Sequence, residues 1–183
     1  MLKRITPTIF LVIVALIFQY YYLESSLMVF SSAYKPYEYT IDDYTLKIDF
    51  PGTTKVYLTP DKGEEMRINI YFVDNKLAFR GYIQVWLLAD LQYFLNDSKA
   101  KSPYNFTSYT MNNIKQNNYP GFKEEWSADF GKKSISAQEF WLKINTSKEA
   151  VRISFFTDSE NFPDELDNTV NHIANSLKIV TEN

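Results

Sequence analysis

The sequence predicts an α+β domain in which helices flank an antiparallel β-sheet, preceded by one N-terminal transmembrane helix. Three observations predict this arrangement. Several segments alternate apolar and polar residues, which is typical of strands with one buried face. Two segments repeat apolar residues at helical spacing, as amphipathic helices do. The first 30 residues hold a long apolar run that follows Lys3 and Arg4.

Composition narrows the class of protein. The chain has 183 residues, of which 45% are hydrophobic and 17% aromatic, a size that suits one domain plus a short extra segment. It has no cysteine and one histidine, which excludes disulfides, thiolate catalysis and any site within one chain that needs two histidines. The net charge of −3 supplies no basic surface. We therefore expect no cofactor and no nucleic-acid partner.

The N-terminal segment determines the expected location. Residues 5–23 would form a helix about 28 Å long, close to the roughly 30 Å of hydrocarbon in a bilayer. Basic residues before this span, with no basic cluster after it, predict a cytoplasmic N-terminus and a C-terminal domain outside. We therefore expect a single-pass protein of the cell membrane. Two alternatives stay open: a cleaved secretory signal, with small residues at Ser31-Ser32-Ala33, and a buried globular helix.

Three regions are predicted along the chain. Residues 1–30 are the membrane anchor or signal, residues 31–43 a polar and aromatic linker, and residues 44–183 the extracytoplasmic domain. The domain begins with residues 44–50, in which apolar and polar residues alternate until Pro51. This segment is therefore predicted as the first strand.

A hairpin, a helix and a further strand are predicted next. Two alternating runs, residues 66–72 and 77–85, flank the turn residues Asp74-Asn75-Lys76 and predict the hairpin. Apolar residues at helical spacing then predict an amphipathic helix over residues 87–99. A weaker pattern predicts a strand over residues 107–117.

The C-terminal half is predicted as an antiparallel meander closed by a helix. Pro120 and Gly121 have the composition of the centre of a type II turn. Strands are expected in the segments that follow, residues 122–130, 135–144 and 151–155. Pro163 can begin the last helix, and its apolar stripe consists of Leu166, Val170, Ile173 and Leu177. Helices packed on an antiparallel sheet complete the α+β prediction.

A set of residues in this half also carries a family resemblance. They are Pro120, Gly121, Trp126, Arg152, Ile153, Phe155, Phe156, Ser176 and Leu177, in the order turn, three strands and closing helix. This pattern resembles PsbP-like proteins, and residues 44–51 look like the first strand of that family. The resemblance implies an α/β/α sandwich, shared by an oxygen-evolving-complex subunit and a Ran-binding nuclear import factor. It also implies a non-catalytic binding or assembly module.

Candidate binding residues come from the aromatic and acidic segments. Arg152, Trp126 and Trp141 are candidates for contact with a partner, and the alternative for Arg152 is an ion pair across the sheet. Asp158, Glu160 and Asp164 are candidates for a hard cation. They lie near the start of the last helix, where negative charge also interacts favourably with the helix dipole. His172, on the helix face opposite the apolar stripe, is expected to be exposed.

Carboxylates are the remaining residues with catalytic potential. Glycosidases use two Asp or Glu side chains about 5–10 Å apart, and the candidates here are Glu124, Asp129 and Glu139. Glu124 and Glu125 are adjacent on a strand, so they point to opposite faces and are expected to be solvated. The sequence has no GxSxG, HExxH or phosphate-binding glycine motif.

These observations favour a bacterial, membrane-anchored extracytoplasmic module that binds or assembles a partner at the cell envelope and is not an enzyme. Its expected partners are the lipid bilayer, through residues 5–23, and an envelope protein. Two alternatives stay open: a carboxylate-based envelope hydrolase and a cation-binding regulatory domain.

Overall fold

A seven-stranded antiparallel sheet and a smaller three-stranded sheet form the framework of the fold. The computed structural model describes residues 33–42, 44–60, 63–144 and 148–181. Within these residues the strands are β1 (Tyr34–Ile41), β2 (Tyr44–Pro51), β3 (Lys55–Leu58), β4 (Met66–Asp74), β5 (Phe79–Leu87), β6 (Asn105–Gln116), β7 (Tyr119–Phe130), β8 (Lys133–Lys143), β9 (Glu149–Thr157) and β10 (Lys178–Thr181). The helices are α1 (Leu91–Lys101) and α2 (Asp167–Ser176), the second preceded by a 3-10 helix over Asp164–Leu166.

The strand order places the C-terminal meander beside the first hairpin. The large sheet runs β3-β4-β5-β9-β8-β7-β6, and the small sheet runs β1-β2-β10. Strand β9 therefore pairs with β5 on one side and with β8 on the other. Helix α1 connects β5 to β6. Because β5 lies inside the large sheet and β6 at its edge, this connection crosses one face of the sheet.

The main core lies against one face of the large sheet. Alternate residues of each strand point to that face, as the pleat of a strand requires. They pack with β2 and α2, and the fully buried side chains include Leu46, Ile48, Phe50, Ile70, Phe72, Ile83, Phe140, Ile153 and Phe155. Each such side chain stabilises the fold by about 1.5–3 kcal/mol relative to exposure.

The apolar stripe of α2 is confirmed. Leu166, Val170, Ile173 and Leu177 are all buried in the main core. Helix α1 packs on the opposite face, where Leu91 and Leu95 are buried. The two helices therefore flank the large sheet, as expected from the sequence. Helix α1 begins at Leu91 rather than at residue 87, because residue 87 still belongs to β5.

Part of the predicted linker is a strand instead. Tyr34–Ile41 forms β1 and pairs antiparallel with β2 along its whole length. Tyr37 and Tyr39 are half-buried against the core, which gives the segment its alternating face. Pro36 is tolerated because β1 is an edge strand, where a missing N–H need not break a ladder.

The predicted turn at Pro120 and Gly121 is also wrong, because both residues lie within β7. The chain turns three residues earlier, at Asn117 and Asn118, whose φ angles are 45° and 69°. Two consecutive residues with positive φ are the signature of a type I′ hairpin turn, and asparagine adopts that conformation readily. A Cβ on Gly121 would overlap the backbone oxygen of Trp141, so close strand approach explains the glycine.

The predicted membrane span, residues 5–23, lies outside the described residues. Among the residues that are described, neither helix has the length and apolar character needed to cross a membrane.

Candidate functional site

A cavity of about 300 Å³ lies on the second face of the large sheet, beside α1. This volume is at the lower end of the range of small-molecule sites. Eight aromatic side chains line it: Trp86, Phe94, Tyr104, Phe106, Tyr109, Trp126, Trp141 and Phe156. Its charged lining residues are Lys99, Glu124, Glu139 and Arg152. All three tryptophans of the chain are therefore in this one wall.

The aromatic rings form two groups. Trp86, Phe94 and Trp141 meet beneath α1, with ring centroids 5.6–6.4 Å apart. In the second group, Tyr104 stacks on Trp126 at 5.6 Å and Phe106 meets Trp126 edge-on at 5.5 Å. Offset or edge-on pairs of this kind stabilise by about 0.5–1.5 kcal/mol beyond the area they bury.

Two glutamates lie between these groups. Glu124 on β7 and Glu139 on β8 are direct partners in the antiparallel register. They are 7% and 3% exposed. Directly opposed residues have Cβ atoms about 4.5–5.5 Å apart, and like charges at such positions are destabilising. The site must therefore compensate both carboxyl groups.

Glu139 is compensated by a cation. Arg152, one strand further on β9, places Nε and Nη2 each 2.6 Å from Glu139 Oε2. Trp126 Nε1 donates to Glu139 Oε1 at 2.8 Å. Arg152 Nη1 also donates to Gln84 Oε1 at 3.1 Å, which links the pair to β5.

Glu124 accepts hydrogen bonds from neutral donors. The Tyr109 hydroxyl donates to Oε1, and Trp141 Nε1 donates to Oε2 at 3.1 Å. Burial raises the pKa of Glu124, and the charge of Glu139 raises it further, against the opposing effects of Tyr109, Arg152 and Trp141. Burial and the bond to Glu124 raise the pKa of the Tyr109 hydroxyl as well.

The two cations of the cavity lie over aromatic rings. Lys99 Nζ is 3.8 Å from the centroid of the Tyr109 ring, and the Arg152 guanidinium is 5.1 Å from that of Trp141. Such cation–π contacts stabilise by about 0.5–2 kcal/mol, depending on desolvation. The chain's own side chains therefore already use the electron-rich faces of these two rings.

The structure brings most of the sequence candidates together here. Arg152, Trp126 and Trp141 all line the cavity, and Arg152 also forms the cross-strand pair considered from sequence. Glu124 and Glu139 line it too. The expectation that Glu124 is solvated is wrong, because strand alternation places it on the aromatic face with Trp126, where it is 7% exposed.

The remaining candidates lie elsewhere. Asp129 is exposed near the end of β7, where Ser134 Oγ donates to it at 3.1 Å. Asp158 pairs with Arg80 at 2.7 Å, and Arg80 lowers the pKa of Asp158. Glu160 and Asp164 are exposed. Among the described residues no three acidic or histidine side chains are grouped to hold a metal ion. The cation site stays a prediction.

His172 is exposed, as predicted, and its ring lies 3.8 Å from that of Tyr34.

Sequence reasoning missed Trp86, Tyr109 and Phe156 as residues of the cavity. Strand alternation puts Phe156 on the same face as Arg152, so one of these could have been found from β9 alone. The presence of Trp86 and Tyr109 in the cavity depends on the order of the strands in the sheet, which strand alternation does not show.

Comparison with known proteins supports the fold. No family model matches the sequence, and no curated protein matches it. The structure is similar to cyanobacterial PsbP (CyanoP) from Synechocystis, with a TM-score of 0.53 and 9% identity over 81% of this chain and 93% of that one. It is also similar to LpqN of Mycobacterium tuberculosis, described as involved in cell envelope biogenesis, with a TM-score of 0.52 and 12% identity over 81% and 91%.

A third similar structure comes from Bacteroides thetaiotaomicron, with a TM-score of 0.51 and 8% identity over 75% of this chain. The matched region spans 45% of that longer protein. Identities this low show the fold alone. The chain thus has a PsbP-like α+β fold, with a large antiparallel sheet and two helices.

Proposed function

We propose that this domain is a non-enzymatic binding module of the cell envelope that holds its ligand in the cavity beside α1. The observation that carries the proposal is the convergence of all three tryptophans with Arg152 and two buried glutamates in one cavity wall. An apolar, aromatic pocket with a few convergent polar groups is the usual form of a ligand site.

The polar groups of the wall are fixed before any ligand arrives. Arg152 connects Glu139 to Gln84, and Trp86 Nε1 also donates to Gln84 Oε1 at 3.1 Å. Gln84 Nε2 donates in turn to Asn69 at 3.1 Å, so the network reaches β4. Side chains that are already ordered lose little entropy on binding, which favours affinity. This rigidity suits recognition of a ligand.

The expected location is the outer side of the cell membrane, with residues 5–23 as the anchor. Two observations support it: basic residues precede the apolar run, and LpqN, which shares the fold, is described as involved in cell envelope biogenesis. On this proposal an envelope protein presents or receives the ligand.

A second candidate, a carboxylate-based hydrolase, is favoured by one observation. Glu124 and Glu139 face each other in a cavity, and their environments differ: burial raises the pKa of Glu124, while Glu139 is paired with Arg152. Glycosidases use a pair of carboxyl groups of which one, the general acid, has a raised pKa. Against this, each of the four carboxylate oxygens already accepts a hydrogen bond from the protein.

The binding proposal is tested by site-specific photocross-linking in intact cells. A photoreactive phenylalanine analogue replaces Tyr104, which is 41% exposed at the cavity, and in a matched control replaces Val180, which is 44% exposed on β10. We expect a discrete adduct from position 104 only. Equal adducts from both positions, or none from position 104, would overturn the proposal.

Activity assays separate the two candidates. The purified chain is incubated with a panel of nitrophenyl glycosides alongside Glu124→Gln and Glu139→Gln. We expect the same background release of nitrophenol from all three proteins. Release that depends on both glutamates would establish the hydrolase instead.

A further inference from the structure

A row of aromatic rings leads from the cavity across the second face of the large sheet. Trp126 contacts Phe156 at 5.8 Å between centroids, and Phe156 contacts Tyr82 at 6.3 Å. The row continues from Tyr82 to Tyr71 at 5.4 Å and from Tyr71 to Tyr57 at 6.2 Å. These residues belong to five strands and end at edge strand β3.

The strand register explains why the row is continuous. Tyr57 is the direct partner of Tyr71, and Tyr71 of Tyr82. Between Phe156 and Trp126 the intervening strand contributes only Ala137, which is the direct partner of both. A small side chain there lets the two large rings meet above it. The row is thus one surface rather than a set of separate rings.

We propose that the ligand is an uncharged oligosaccharide that binds in the cavity and extends along this row. The inference rests on the proposed binding function and names its ligand class. A sugar ring has an apolar C–H face, which packs on aromatic rings, and a rim of hydroxyls, which donate to carboxylates. Rings spaced by the width of a strand offer a repeating platform to a repeating polymer.

The polar groups of the wall can receive hydroxyl donors. An ionised carboxylate offers about four acceptor positions. Glu124 uses two of them, for Tyr109 and Trp141. Glu124 and Trp126 both line the cavity, where a ligand hydroxyl could reach the remaining acceptor positions. A ligand hydroxyl there would also offset the cost of burying the carboxylate.

The charges around the row favour an uncharged ligand. Arg152 is compensated by Glu139 and Arg80 by Asp158, at 2.6 and 2.7 Å. A cationic ligand would have to displace the cations that already lie over Trp141 and Tyr109. An anionic one would meet the two buried glutamates.

Tryptophan fluorescence tests the inference, because every tryptophan of the chain lines the cavity. The full chain, in a polyoxyethylene detergent without sugar or charge, is titrated with the dimer and hexamer of maltose, cellobiose and chitobiose. We expect at least one hexamer to shift the emission and to bind about tenfold more tightly than its dimer. No change with any saccharide, or equal affinity of dimer and hexamer, would overturn the inference.

Variants of the row provide the second measurement. We expect Tyr71→Ala to weaken hexamer binding about three- to tenfold, and Tyr71→Phe to retain it, because the ring and not the hydroxyl makes the platform. Tyr93→Ala is the control, since Tyr93 is 71% exposed on α1 and lies outside both the row and the cavity. Equal effects of Tyr71→Ala and Tyr93→Ala would count against the row.

Two further probes separate this inference from the proposed function. Tetramethylammonium and anilinonaphthalene sulfonate represent cationic and apolar anionic ligands. A response to either of them but to no saccharide would overturn the oligosaccharide and leave the binding function standing. No fluorescence change with any saccharide or probe, together with no adduct at position 104, would overturn both the oligosaccharide ligand and the binding function.

Discussion

Glu124 and Glu139 lie directly opposite each other on β7 and β8, and among the described residues a cation pairs with Glu139 but not with Glu124. Arg152 reaches Glu139 from β9, whereas Glu124 accepts hydrogen bonds from the neutral side chains of Tyr109 and Trp141. Burial and the neighbouring charge of Glu139 raise the pKa of Glu124. Groups perturbed in this way by burial and by a like charge concentrate at functional sites.

The pairing of Arg152 with Glu139 predicts a large effect of removing the cation. Arg152→Met leaves Glu139 with an uncompensated charge at 3% exposure, and breaking a buried pair costs about 3–5 kcal/mol. We expect urea denaturation to show a loss of this size. The double variant with Glu139→Gln should recover much of it.

A matched control is Arg80→Met, which breaks the Arg80–Asp158 pair. These side chains are 37% and 58% exposed, so the expected cost is below about 1 kcal/mol. Equal losses for Arg80→Met and Arg152→Met would show that the cavity pair contributes no more to the free energy of unfolding than an exposed pair.

The raised pKa of Glu124 predicts a pH-dependent stability. A carboxyl whose folded-state pKa lies above its ordinary value of 4.5 binds a proton more readily in the folded chain. Its favourable contribution is present below that ordinary pKa and is lost as pH rises through the raised one. We therefore expect the wild type to lose stability relative to Glu124→Gln as pH rises from about 4.5.

Urea denaturation of both proteins across pH 4 to 8, in steps of about half a unit, measures this difference. The stabilities of the wild type and Glu124→Gln should diverge between the ordinary and the raised pKa of Glu124. Above the raised pKa the two curves should run parallel. Curves that run parallel throughout would show that the pKa of Glu124 is the same in the folded and unfolded chains.

Close strand packing predicts that Gly81 cannot be replaced. A Cβ at this position would overlap the backbone oxygen of Ser154 and lie 2.5 Å from Cζ of Phe72. We expect Gly81→Ala to lower the free energy of unfolding by about 3 kcal/mol. Gly63→Ala, where nothing lies within 4 Å, should change it by less than about 0.5 kcal/mol. A tolerated Gly81→Ala would mean that β5 and β9 can move apart.

Asn117 predicts a coupling between the β6–β7 hairpin and the end of α2. Its side-chain amide donates to the carbonyl oxygens of Asn175 and Leu177, and its φ is 45°. Asn117→Ala removes both bonds and strains the backbone, so we expect a loss of about 2 kcal/mol in urea denaturation. Asn118→Gly is the control, because glycine adopts its φ of 69° without strain. A neutral Asn117→Ala would show that the two elements are independent.

The sequence alone identified the segments whose pattern is local. Strands β2, β4, β5, β8 and β9 are visible in alternation, and the stripe of α2 is visible at helical spacing. Periodicity encodes these elements because each buries one face, whatever that face packs against. Strand β1 was missed because an edge strand is only half-buried and its alternation is correspondingly weak.

The turn predicted at Pro120 and Gly121 shows the limit of a prediction from local composition. Composition favours a turn there, but Gly121 is required by the close backbone of Trp141 on a neighbouring strand. Which role a glycine has depends on what lies beside it. That information is absent from the segment itself.

The cavity was decided by tertiary structure. Alternation places Glu124 on one face with Trp126, and Arg152 on one face with Phe156. It does not show which strands are neighbours. The order β5-β9-β8-β7 brings Arg152 to Glu139 and to Gln84, which is 68 residues away in sequence. Strand order and register depend on the summed packing of the whole core. The sequence therefore determined which faces exist, and the tertiary structure decided which side chains meet on them.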